Sequence, residues 1–176
     1  MEDLIRTRIR AAPADEGTLR LIVRRPGVGL RESVESGRLD PAVGLVGDTW
    51  AERPSSRTPD RTPHPDMQVT VMNVRVLEAI CRDPERCLLA GDQLYVDLDI
   101  GHTNLPVGTR LAISTALIEV TEQPHRGCAK FRSRFGAAAL SFVNSAEGDG
   151  LRLRGLNAKV VRDGTVTRGD TVRKVV

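Results

Sequence analysis

Between Ala116 and Phe142 the hydrophobic period of the chain changes once, and that change constrains the fold more than any other feature. Leu117, Ile118, Val120 and β-branched Thr121 predict a strand. Pro124 ends it, because proline has no N–H to give to a ladder. His125-Arg126-Gly127-Cys128 then forms a corner, in which Gly127 is free to take backbone angles that other residues avoid. Phe131, Phe135, Ala138, Ala139 and Phe142 follow at helical spacing, so a helix leaves the corner. Cys128 thus stands on a strand–turn–helix junction beside His125, Arg126, Lys130 and Arg132. Helix N-termini and neighbouring cations both favour a thiolate over a thiol. Cys128 is therefore the candidate catalytic residue.

The rest of the chain is written mainly in short strands. Thr18–Arg24 places Leu19, Leu21 and Val23 on one face, and Gln68–Met72 alternates. Leu94–Ile100 alternates strictly, with Leu94, Val96, Leu98 and Ile100 expected inward and Tyr95, Asp97 and Asp99 outward. Thr109–Ser114, Thr165–Thr167 and Thr171–Val175 add further strands, and Asp163-Gly164 carries a hairpin signal. Gly29–Gly37 reads as a short helix or a loop. Asn73 can cap a helix whose apolar side holds Val74, Leu77 and Cys81. Trp50–Asp66, with four prolines, is a long loop, and His64 and Asp66 lie at its end. Many strands and few helices predict a mostly β protein, a barrel with appended helices. Residues 1–176 read as a single domain with its core at about 19–175.

Composition removes several function classes. The net charge is +3 and the pI about 9.0, yet the arginines are spread along the chain. Aromatic residues make up only 3%, too few to stack bases, so no nucleic-acid partner is expected. No apolar run approaches the roughly 18 residues that span a bilayer, so no membrane partner is expected either. MEDLIRTRIR lacks the basic-then-apolar order of a secretory signal, and the cysteines number three. A cytoplasmic setting with free thiols is the expectation, Cys81 and Cys87 packing as small apolar groups. Nothing in the sequence sets an oligomeric state.

Three chemistries compete for the corner. His125 and Cys128 are spaced for metal ligation, but zinc needs three or four protein ligands, and nothing brings His64 or His102 to them. A Cys–His hydrolase lacks an Asp or Asn that can be nominated to orient the histidine. The third chemistry is a thiolate that carries sulfur or binds a soft metal, with cations to hold an anion beside it. There is no P-loop and no GxGxxG. Against all three stands a non-catalytic, anion-binding barrel in which Cys128 only packs.

The run IEVTEQPHRGCAKF resembles the cysteine-centred motif of MOSC domains, the module named for the C-terminal part of molybdenum-cofactor sulfurases. GLVGD at 44–48 and VRDGTVTRGDTV at 161–172 resemble further landmarks of that family in the same order. Gly127 stands where many members carry proline, and Ala90-Gly91-Asp92-Gln93-Leu94 where many carry a Gly-Glu-Asn-Leu type segment. The resemblance implies a MOSC-type β-barrel that binds the molybdenum–pterin cofactor or transfers sulfur to or from a donor or acceptor protein. Reduction of N-hydroxylated compounds is a further activity it implies. Cys128 would be the metal ligand or persulfide carrier, with His125, Arg126 and Lys130 as cofactor-binding residues. The pyridoxal-phosphate desulfurase domain of full-length sulfurases does not fit in this length, so pyridoxal phosphate is not expected to be bound by this chain.

Overall fold

A computed structural model describes residues 2–175. The strands are β1 (Glu16–Arg24), β2 (Glu32–Val34), β3 (Ser36–Asp40), β4 (Gly44–Leu45), β5 (Val69–Asn73), β6 (Leu94–Asp97), β7 (Arg110–Ile113), β8 (Ala116–Val120), β9 (Leu156–Arg162), β10 (Gly164–Thr167) and β11 (Thr171–Val175). The helices are α1 (Glu2–Arg10), α2 (Val74–Ile80), α3 (Pro84–Cys87), α4 (Ala129–Val143) and α5 (Ala146–Gly150). Seven strands close a barrel in the order β1-β11-β7-β8-β9-β5-β6, because β1 pairs with β11 on one side and β6 on the other. Every pairing in it is antiparallel except β5 with β6, whose ends α2 and α3 connect. The fold is the mostly β barrel with helices that the sequence predicts.

The period of two along β5 and β6 builds two cores at once. Val69, Val71, Leu94 and Val96 enter the barrel interior with Leu19, Ile118 and Val172. Met72 and Tyr95 point the other way and are equally sealed, beneath Ile9, Leu77, Phe131, Val143 and Leu153 from the helices and the segment before β9. Tyr95 is thus outside the barrel, as its place in the alternation demands, but it is buried where a solvent-facing residue was expected. Alternation reveals the face of a strand and not what covers that face.

Other local expectations divide in the same way. Asn73 does cap α2, its Oδ1 accepting from the N–H of Arg75. Gly29–Gly37 contains strand β2 instead of a helix. Asp163-Gly164 is not a hairpin turn: β10 leaves β9 and pairs with β3 in a small three-stranded sheet. Gly164 is required there, since a Cβ would meet the N–H nitrogen of Ala116 at 2.4 Å. The helix after Cys128 is broken at Gly136, whose φ of 91° is one that a side chain resists. Cys81 and Cys87 are a disulfide with Cα atoms 5.6 Å apart, correcting the expectation of free thiols; α2 and α3 turn back on each other closely enough to pair them. Among the described residues no helix is long and apolar enough to cross a membrane.

Candidate functional site

The site is assembled at one end of the barrel around a carboxylate buried without any exposure, Asp92. A short 3-10 turn, Leu88–Ala90, ends in Gly91 at φ 92° and delivers Asp92 inward just before β6 begins. Two donors hold it. Arg154, just ahead of β9, donates from Nη1 to Oδ2 at 2.5 Å, and His125, just beyond β8, lies with Nε2 2.8 Å from Oδ1. An ionised carboxylate only accepts, so His125 carries its proton on Nε2. Burial raises the pKa of Asp92, but Arg154 and His125 together outweigh it and hold the carboxyl below the usual range. Burial and the charge of Arg154 push the imidazole of His125 down, against the pull of Asp92, so it is neutral at pH 7.

A second network lies alongside. Arg25 grips Asp48 with Nε and Nη2 at 2.8 and 2.7 Å, the bidentate geometry that suits a guanidinium and a carboxylate. Gln93, the residue after Asp92, accepts from the N–H and hydroxyl of Thr70 and donates toward Asp48. Beside this pair opens a cleft of 320 Å³, lined among others by Arg25, Trp50, Arg53, His64, His125 and Asn157. Its outer wall is the proline-rich loop, where His64 caps a 3-10 turn by accepting from the N–H of Asp66. Burial lowers the basicity of Arg31 and Arg53; the charge of Arg25 lowers both further, and that of Arg134 lowers Arg31. Asp48 acts in the opposite direction on both. Arg25, Arg53 and Arg57 line the cleft, and among the described residues no carboxylate lines it.

Cys128 caps α4 in extended backbone and is exposed. Partial burial raises its pKa, but the N–H groups of Phe131 and Lys130, then the charges of Arg154 and Lys130, outweigh this and lower it. Arg154 therefore links the parts, with its guanidinium 5.0 Å from the ring centre of Phe131 on α4 and its Nη1 on Asp92. Among the described residues no hydrogen bond joins Cys128 to His125, whose Nε2 is committed to Asp92; the triad of a cysteine hydrolase is not formed. Nor do three or more His, Cys, Asp or Glu residues gather to hold a metal.

The structure separates the cations named from the sequence. Lys130 stays with Cys128. Arg126 is ion-paired with Asp149 at 3.0 Å and lines a different, smaller cavity. Gly127 has no unusual φ; a Cβ there would lie 2.7 Å from the Cδ1 of Leu140 on α4, which would have to shift. Sequence reasoning missed Asp92, Arg154, Arg25, Arg31 and Arg53. A carboxylate two residues ahead of a strand that opens Leu94-Tyr95-Val96 was the available signal for Asp92; no local pattern marks the arginines.

Cys128 is the free cysteine among the described residues, and its depressed pKa gives a direct test. Iodoacetamide is expected to label Cys128 first in the native protein. The midpoint of its rate-versus-pH curve should lie below the roughly 8.5 of an unperturbed thiol. Peptide mapping that finds Cys81 or Cys87 labelled first, or a midpoint above the ordinary value, contradicts the arrangement described.

A closed, mostly β barrel whose helix α4 is capped by an exposed cysteine is the class of domain that the fold and this corner define. The chain belongs to the MOSC domain family: the family model matches residues 64–173. That span takes in β5 to β11 almost entirely, with Asp92, His125, Cys128 and Arg154 inside it. The fold is similar to that of the YuaD protein from Bacillus subtilis, with a TM-score of 0.67 at 17% identity over 89% of this chain and 94% of that one. YiiM from Escherichia coli is similar with a TM-score of 0.56 at 21% identity, over 90% of this chain and 70% of that one. No curated protein matches the sequence.

Proposed function

We propose that this protein holds a molybdenum–pterin cofactor in the arginine-lined cleft, with Cys128 as its sulfur ligand. The observation that carries the reading is that Arg25, Arg53 and Arg57 line the cleft while, among the described residues, no carboxylate lines it; a bound phosphate would supply the negative charge. MOSC domains are associated with this cofactor, and the residues present suit it. The Oδ1 of Asn157, which lines the cleft, is buried without a partner and is an acceptor for a ring N–H. The cleft volume is within the range of small-molecule sites. When bound, the group would supply two-electron redox chemistry. The chain itself contributes the anion-holding arginines, a soft thiolate for the metal, and a neutral His125 on the cleft wall.

Sulfur transfer is the second reading, favoured by the exposure of Cys128 to a protein-sized partner. Its thiolate would attack the outer sulfur of a donor persulfide, breaking the donor's S–S bond. The donor would leave as a thiolate and Cys128 would keep the sulfur as a persulfide, with no net oxidant required.

Protein made in a cofactor-proficient host tests the first reading, with molybdenum measured by mass spectrometry and pterin by fluorescence after oxidation. The wild type is expected to carry both. Arg53→Ala should retain less of each, and its retention should depend less steeply on salt, since one screened, charge-assisted phosphate contact is gone. A wild type that carries neither and does not take up added cofactor overturns the proposal.

A further inference from the structure

His125 also lines a second, partly open chamber of 160 Å³, together with Arg126, Arg152, His102, Glu122, Asn144 and Asp149 among others. It is below the roughly 300 Å³ at which ligand pockets usually begin, so only a small ligand fits. Its distinguishing group is Arg152, only 7% exposed. Arg152 takes a left-handed φ of 47°, a conformation that non-glycine residues avoid, and it turns its side chain under the loop after β6. There Nη1 donates to the carbonyls of Leu105 and Ile100 at 2.6 and 3.3 Å. Among the described residues Nε and Nη2 have no protein acceptor, and they are not sealed from the chamber that Arg152 lines.

No carboxylate forms an ion pair with Arg152 among the described residues. Asp149, the nearest acid to act on it, is taken by Arg126, and Arg154 on the same lining is neutralised by Asp92. Arg126 and Arg152 therefore face Glu122 and Asp149, but the buried member of the set is a cation with two directed donors free. Such a group is costly unless something accepts from it.

We infer that this chamber is a second binding site, for a small oxyanion gripped by the free edge of the Arg152 guanidinium. A carboxylate or a tetrahedral oxyanion offers two acceptors at the spacing of Nε and Nη2, and either fits the volume. The inference does not depend on the cofactor reading, since it uses a different cavity. His102 is the reporter at the mouth: burial and then Arg152 lower its pKa, while Asp149 raises it, so an anion beside Arg152 must shift it upward.

The experiment is an NMR titration of His102 in the wild type with sodium sulfate or sodium acetate at constant ionic strength, chloride serving as the control. The expected result is a saturable rise in the His102 midpoint. It should persist in Arg53→Ala, where the cofactor cleft is disabled, and weaken about tenfold or more in Arg152→Gln, which loses a charged hydrogen-bond pair. A response to sulfate alone assigns a tetrahedral oxyanion, and a response to acetate alone assigns a carboxylate. In the wild type the Nε–Hε resonance of Arg152 should move with the same saturation curve, which keeps the test open if Arg152→Gln fails to fold. A shift that does not saturate, a full response in Arg152→Gln, or an Arg152 resonance that stays still overturns the inference.

Discussion

Asp92→Ala is expected to cost about 3–5 kcal/mol of folding stability, the loss seen when one member of a buried ion pair is removed. Asp92 accepts from Arg154 and His125 with no water to replace it, and Arg154 also donates to the carbonyl of Ala90. Truncation leaves the Arg154 guanidinium in a sealed place with its charge uncompensated. Asp92→Asn keeps the shape and removes the charge, so it should recover only part of the loss. The pH dependence has a definite sign. The folded carboxyl is held below its ordinary value, so its contribution is complete above the unfolded pKa near 3.9 and disappears as pH falls through the lower folded one. The gap between wild type and Asp92→Ala in urea unfolding should therefore be the same at pH 7 and pH 5, and close only in stronger acid. A loss under about 1 kcal/mol at pH 7 would mean that Arg154 finds another acceptor.

Cys128→Ser is expected to do the reverse, leaving stability nearly unchanged while abolishing metal retention or sulfur loading. The side chain is exposed and makes no capping hydrogen bond, so the exchange should shift unfolding by no more than about 0.5 kcal/mol. Serine is a poor ligand for a soft metal and cannot carry sulfur as a persulfide. If the cofactor is held as proposed, pterin should persist in part through the arginines while molybdenum falls to background. Thermal melts and the same metal and pterin analysis read both quantities. A strongly lowered melting temperature with metal content intact would make Cys128 a packing residue and leave the cleft to act without it.

The two substitutions differ because the two residues were legible to different degrees. Cys128 was visible from sequence: a strand halted by Pro124, a corner, and a helix pattern starting at Phe131 place a thiol at a helix end whatever surrounds it. That rests on backbone periodicity and on the missing N–H of proline, which are local. The barrel was legible for the same reason, since alternation in Leu94–Ile100 and its counterparts records which residues leave water. Their partners were not. Asp163-Gly164 carries the letters of a hairpin, but β10 pairs with β3, about 130 residues away in sequence, because the closed barrel gives it no place beside β9. Cys81 and Cys87 looked like packing residues until α2 and α3 brought their Cα atoms to 5.6 Å. Arg25, Asp92 and Arg154 sit in three separate stretches, and no spacing rule relates them. The sequence by itself determined where strands, helix and thiol lie along the chain, through short-range sterics and solvent exposure. Only the tertiary structure decided which charges share a low-dielectric space, because electrostatic coupling depends on distance and burial and not on separation along the chain.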